Sequence, residues 1–161
     1  MTEANDYANY RLNPVAGNNP QNAIIFNVEE LYDQFAFGIE KHPYSIRGMA
    51  DFIVDTWTSS PHYLFLIGKS IKSKDSRKNL TAFAENLVPS FGNPASDNML
   101  TSGLNTTNRE PLIPTGRLAA KTGIEITWYL NKISQHENPP PLSSTSTNEW
   151  MKQALHFGGG T

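Results

Sequence analysis

The apolar run YLFLIG at residues 63–68 constrains the fold of this chain more than any other feature of its sequence. Neighbouring residues in the run are apolar on both faces, which is typical of a buried central strand in a parallel sheet. Directly before it, apolar residues recur at helical spacing from Ile46 to Trp57, so we predict an amphipathic helix over 43–57. A helix that leads into a buried strand indicates an α/β fold.

The other predicted elements extend this alternation. Thr122 is followed three residues later by Glu125, a capping-box pattern that predicts the start of a helix. Asn27 and Glu30 have the same spacing and predict another. Further predicted elements are a helix at 3–11 and short strands at 23–26, 87–91, 112–118 and 152–157.

Together these elements predict a three-layer αβα fold with a mainly parallel sheet. We expect one domain over 1–161: a main α/β part at 3–137, a Pro/Ser-rich linker at 138–148, and a final strand with a cut loop at 149–161. The helix at 3–11 has no strand before it, although doubly wound sheets usually start with one. We therefore expect a fragment that is truncated at both ends.

Composition excludes several classes of protein. The formal net charge is −2, so no basic excess favours nucleic acid as a partner. The apolar runs are too short to cross a bilayer, so we expect no transmembrane segment in these residues. The sequence has no cysteine, which excludes a disulfide framework, a thiolate nucleophile and a sulfur-ligated zinc within it.

Two glycine-containing stretches resemble phosphate loops only in part. Gly68-Lys69-Ser70 matches the end of a P-loop, but Tyr63 stands where the motif needs its first glycine. The glycines at 158–160 follow a predicted strand without the helix and acidic residue that a dinucleotide site requires. A nucleotide-binding domain is therefore the weakest of the functional alternatives.

The histidines and serines show no catalytic or metal-binding pattern. His42, His62, His136 and His156 lack the spacing of metal ligands, so we predict no metal site from them. No G-x-S-x-G motif is present, which leaves an α/β-hydrolase serine unsupported.

Ser96-Asp97 and Arg117 are the better candidates for a binding site. The pair Ser96-Asp97 lies in a loop after a predicted strand end, where α/β folds bind ligands. A carboxylate there can pair with a cationic group or with calcium, or it can form an Asx-turn with its own backbone. Arg117 ends a predicted strand and can bind an anion or tie two loops together.

Five blocks of the sequence, in order, carry a resemblance to a known family. They are NVEELYDQFAFGIEKHPYSIRGM, PHYLFLIGKS, VPSFGNPASDN, IPTGRLAAKTGIEITWYLNKISQHEN and EWMKQALHFGGG. The chain resembles the amino-terminal part of the catalytic domain of gingipain-type cysteine peptidases. It looks most like the branch that acts as signal peptidase and sortase of type IX secretion in Bacteroidetes.

The resemblance implies a caspase-like α/β fold of which this chain is the first subdomain, without its opening strand. It implies that the catalytic histidine and cysteine come later, so that no catalytic residue lies in this chain and His156 is not the catalytic histidine. Trp150, Gln153 and Leu155 match the family's W-x-x-Q-x-L segment. Lys69 departs from it, because the family has Gly-Asp where this chain has Gly68-Lys69.

The resemblance also implies partners and a binding role. Asp97, with Ser96, matches the pair that lines the pocket for the substrate's basic side chain, here called the S1 pocket. The implied partners are a peptide or protein substrate and the other half of the catalytic domain, at the surface or outside of a Gram-negative bacterium. No cofactor is expected, although calcium binding occurs in the family. The alternative function is a non-catalytic docking module of a secretion-associated protein.

Overall fold

The computed structural model describes residues 2–14, 18–105 and 109–138 of the 161-residue chain. Within them the elements are α1 (Thr2–Leu12), α2 (Val28–Phe35), α3 (Tyr44–Thr56), β1 (Leu64–Ile67), α4 (Ser73–Ser76), α5 (Leu80–Glu85), a 3-10 turn (Asn98–Leu100), β2 (Thr115–Leu118) and α6 (Gly123–Glu137).

Local sequence explains where the longer helices begin. At α6 the Thr122 side chain accepts from the backbone of Glu125, while the Glu125 carboxylate accepts from the backbone of Thr122, so the predicted capping box is confirmed. At α2 the Asn27 side chain accepts from the Glu29 N–H. Both caps satisfy helix N–H groups that have no partner inside the helix.

The two strands pair in parallel, in register from Leu64 opposite Thr115 to Ile67 opposite Leu118. Side chains alternate between the faces of a strand. Leu66 therefore joins the core under α2 and α3, with Ile46 and Leu100. Phe65 points to the other face, where its ring lies 5.0 Å from that of Tyr7 in α1.

Helices consequently cover both faces of the sheet, in the three layers that the sequence predicted. On the Phe65 face, α1 and α6 pack together, and Tyr129 of α6 also contacts Phe65. That layer is thin, since neither α1 nor α6 has a buried residue. The side with α2 and α3 is better packed, because both of these helices have buried residues.

Two of the predicted strands, at 23–26 and 87–91, do not form among the described residues, so these predictions are wrong. Residues 23–26 form no strand, and Ile24 is 57% exposed beside a groove of about 1850 Å³ that β1 also lines. The 87–91 segment has only an isolated bridge, between Phe91 and Ser96. An apolar run indicates that its side chains tend to be buried. A strand forms only where its backbone can hydrogen-bond to a neighbouring strand.

Other boundaries differ by a few residues. The predicted strand at 112–118 is confirmed only over Thr115–Leu118, and the polar stretch at 69–79 contains the short α4. The sequence analysis did not predict α5. The predicted strand at 152–157, most of the linker and the glycines at 158–160 lie outside the described residues.

Candidate functional site at the carboxyl end of the strands

Arg117 organises the carboxyl end of the sheet. It lies in β2 opposite Leu66, and its side chain is only 12% exposed. Its Nη1 donates to the carbonyl oxygens of Gly68, at 2.6 Å, and Val88, at 2.9 Å. Its Nε and Nη2 donate to the two carboxylate oxygens of Asp97 at 2.7 and 2.8 Å. One side chain thus joins the end of β1, the segment after α5 and the loop before the 3-10 turn.

Asp97 completes this network. Its Oδ1 also accepts from the Ser90 hydroxyl at 2.8 Å, and its side chain is 22% exposed. Burial raises the pKa of Asp97, but the hydrogen bonds from Arg117 and Ser90 and the positive charge of Arg117 outweigh it and hold that pKa below its ordinary value. The carboxylate is therefore ionised at neutral pH.

Local structure brings these residues together. Gly68 has φ +145° directly after β1, and a Cβ at this position would lie 2.6 Å from Val88 Cγ2, so only glycine fits the close approach. Ser96 N–H donates to the Phe91 carbonyl at 2.8 Å and closes the 91–96 loop in front of Asp97.

A second arginine secures the other side of the same loop. From α3, Arg47 Nη1 donates to the carbonyl oxygens of Met99, at 2.9 Å, and Ser102, at 2.7 Å. The segment 97–102 is thus held to β2 by one arginine and to α3 by another.

The geometry decides between the two roles that the sequence left open for Arg117. All three guanidinium nitrogens donate to atoms of this chain, so Arg117 ties loops together. Both oxygens of Asp97 accept from Arg117, and a cationic substrate group would compete with this bidentate pair. The assignment of Asp97 and Ser96 to an S1 pocket stays a prediction.

The remaining sequence candidates lie apart from this network. Lys69, of the partial P-loop pattern, pairs with Glu85 at 2.5 Å. His42 stacks on Tyr44 before α3, His62 lies before β1, and His136 lies near the end of α6. His156 falls outside the described residues. Across the described part of the chain, no group of three or more His, Cys, Asp or Glu side chains is placed to hold a metal.

No helix among the described residues has the length and apolar character needed to span a bilayer.

Sequence reasoning missed two members of the site. Ser90 stands in the block VPSFGNPASDN, seven residues before Asp97, but no local pattern marks it as the partner of a carboxylate. Arg47 falls at a half-buried position of the predicted α3, and its cation among apolar neighbours was the available signal.

A comparison with known proteins identifies the family of this chain. No curated protein and no solved structure matches the chain. The family model for peptidase family C25 matches residues 1–161, the whole of the sequence. The chain therefore belongs to peptidase family C25, the gingipain family.

Proposed function

We propose that these residues form a scaffold part of a gingipain-like cysteine peptidase domain and do not themselves cleave peptide bonds. The match to the family over residues 1–161 carries this proposal. Its second support is chemical, because the sequence contains no cysteine and so cannot supply a thiolate nucleophile.

In the complete domain, a cysteine thiolate attacks the substrate's peptide carbonyl to form an acyl-enzyme, and a histidine transfers the proton to the leaving amine. On this proposal both groups come from polypeptide outside the present sequence. The described residues contribute a parallel sheet whose carboxyl end is fixed by Arg117, Asp97 and Ser90. In α/β folds ligands bind beyond the carboxyl ends of the strands.

A thiol-directed label tests this proposal. The present chain and the longer product of its reading frame are each treated with a peptidyl acyloxymethyl ketone that carries a fluorophore. We expect covalent labelling of the longer protein, blocked by prior iodoacetamide, and none of the 161-residue chain. A longer protein that is folded but takes no label refutes the proposal and favours the docking-module alternative.

A direct contact between Asp97 and substrate is a second proposal. Its support is the partial exposure of the Asp97 side chain, 22%, at this end of the sheet. In the active longer protein, Asp97→Asn then lowers kcat/KM for peptides with arginine before the cleaved bond more than for matched peptides with alanine there. Equal losses for both peptides contradict an S1 role.

Type IX secretion and a location at or outside the cell surface are further proposals, supported by the blocks of sequence resemblance alone. Fractionation of the native host with an antibody to this chain tests the location. Recovery in the cytoplasmic fraction contradicts it.

A further inference from the structure

A concentration of positive charge follows β1. Residues 69–79 contain five lysine or arginine residues and one aspartate, in a chain whose net charge is −2. Lys69 is paired with Glu85. The other four cations are exposed, and none forms a salt bridge with an acidic group of the described residues. We call Lys72, Lys74, Arg77 and Lys78 the basic rim.

The basic rim borders a small apolar concavity. A depression of about 370 Å³ is lined by Arg77 and Lys78 of the rim together with Leu80 and Phe83 of α5. Leu80 is 89% exposed, although it belongs to a helix. Lys41 Nζ lies 4.5 Å from the centre of the Phe83 ring, which adds a cation near the depression.

The exposed cations next to an apolar depression distinguish this surface from a run of charged residues that is simply solvated. Unpaired cations alone are common at protein surfaces and need no explanation. Here an aliphatic side chain is held almost wholly in solvent within reach of two of them, and burying it would be favourable. The nearest acidic groups on these elements are Asp75, on α4, and Glu85, which Lys69 and Lys121 already neutralise.

We propose that the basic rim and Leu80 form a docking surface for an acidic peptide segment that carries an aliphatic residue. Carboxylates of the segment pair with Arg77 and Lys78, and its aliphatic side chain packs on Leu80 and Phe83 in the depression. The apolar component favours a peptide over a nucleic acid or free phosphate, since neither of these offers an aliphatic side chain for Leu80. The proposal stands whether or not the chain is part of a peptidase.

Fluorescence polarisation with the 161-residue chain tests this docking. The probe is a fluorescein-labelled peptide, Glu-Asp-Leu-Glu-Glu-Leu-Asp-Glu, and the reference probe carries Gln and Asn in place of Glu and Asp. We expect saturable binding of the acidic probe, at least tenfold tighter than that of the reference, weakening as salt rises. Equal binding of the two probes overturns the proposal.

Two variants locate the surface on the protein. Arg77→Glu/Lys78→Glu should weaken binding of the acidic probe at least tenfold, and Leu80→Ser about fivefold. The matched control Lys132→Glu reverses an exposed cation on α6 and should leave binding within twofold. Circular dichroism confirms that each variant is folded, and a probe affinity unchanged in both variants overturns the proposal.

A further experiment tests whether the basic rim binds an anionic lipid surface instead of an acidic peptide. Vesicles of phosphatidylglycerol in phosphatidylcholine are sedimented with the chain and with Leu80→Ser. Vesicle binding without binding of the acidic probe assigns the rim to a lipid surface and overturns the peptide proposal.

Discussion

Replacing Arg117 by methionine tests the network at the carboxyl end of the strands. The change keeps much of the buried stem but removes the Arg117 donors of Asp97 and of the Gly68 and Val88 carbonyls, while the Ser90 hydroxyl still donates to Asp97. Removing one partner of a buried ion pair typically costs about 3–5 kcal/mol. Since the two side chains are 12% and 22% exposed, we expect the lower end, about 3 kcal/mol.

Urea unfolding followed by tryptophan fluorescence measures this loss of stability. For a domain of this size, a loss of about 3 kcal/mol lowers Tm by about 6–12 °C. Asp97→Asn keeps one carbonyl acceptor and should cost about 1–2 kcal/mol. Because both changes break the same contacts, the double variant should lose at least about 1 kcal/mol less than the two separate losses together.

The control is Arg77→Met, at an exposed position without a salt bridge to the described residues, which should stay within about 0.5 kcal/mol of the parent chain. If Arg117→Met behaves like this control, or if the two losses add fully, the reasoning about the network is wrong.

Three further predictions follow from single contacts. The folded-state pKa of Asp97 is below the unfolded value of about 3.9, so its contribution to stability is present above that pH and lost as pH falls through the folded pKa. Urea midpoints between pH 6 and pH 2 should therefore fall less in Asp97→Asn, and parallel falls would contradict this. Gly68→Ala should lower the free energy of unfolding in urea by about 2 kcal/mol, because φ is positive and the new Cβ would collide with Val88. In the control Gly116→Ala the new Cβ would lie 3.8 Å from Phe65 Cδ2, so the loss should be far smaller. Equal losses would show that the packing at Gly68 is not the cause. Thr122→Ala should cost about 1 kcal/mol through the lost cap of α6, and an unchanged midpoint would count against it.

Features determined by neighbours in the chain were predictable from the sequence. The capping box of Thr122 and Glu125 depends on residues three apart, and it is confirmed. The strand β1 and the helix before it were also predicted, because their apolar patterns are regular, but of the four residues of β1 only Leu66 is buried.

Features determined by distant partners were not predictable. The apolar run at 23–26 has the composition of a strand, yet no described strand pairs with it. Asp97 and Arg117 were each singled out, but their pairing depends on how β2 aligns with β1 and on the path of the intervening loop. Sequence reasoning therefore found Asp97 and Arg117, left their mutual contact open, and missed Ser90 and Arg47.

The most direct test compares peptide hydrolysis by two purified proteins: the 161-residue chain, and the longer protein of which we propose that it is a part. Each is assayed on a mixed fluorogenic peptide library, with and without iodoacetamide. The account predicts no hydrolysis by the chain, and hydrolysis by the longer protein that alkylation abolishes. Hydrolysis by the chain alone, or activity of the longer protein that survives alkylation, would contradict it.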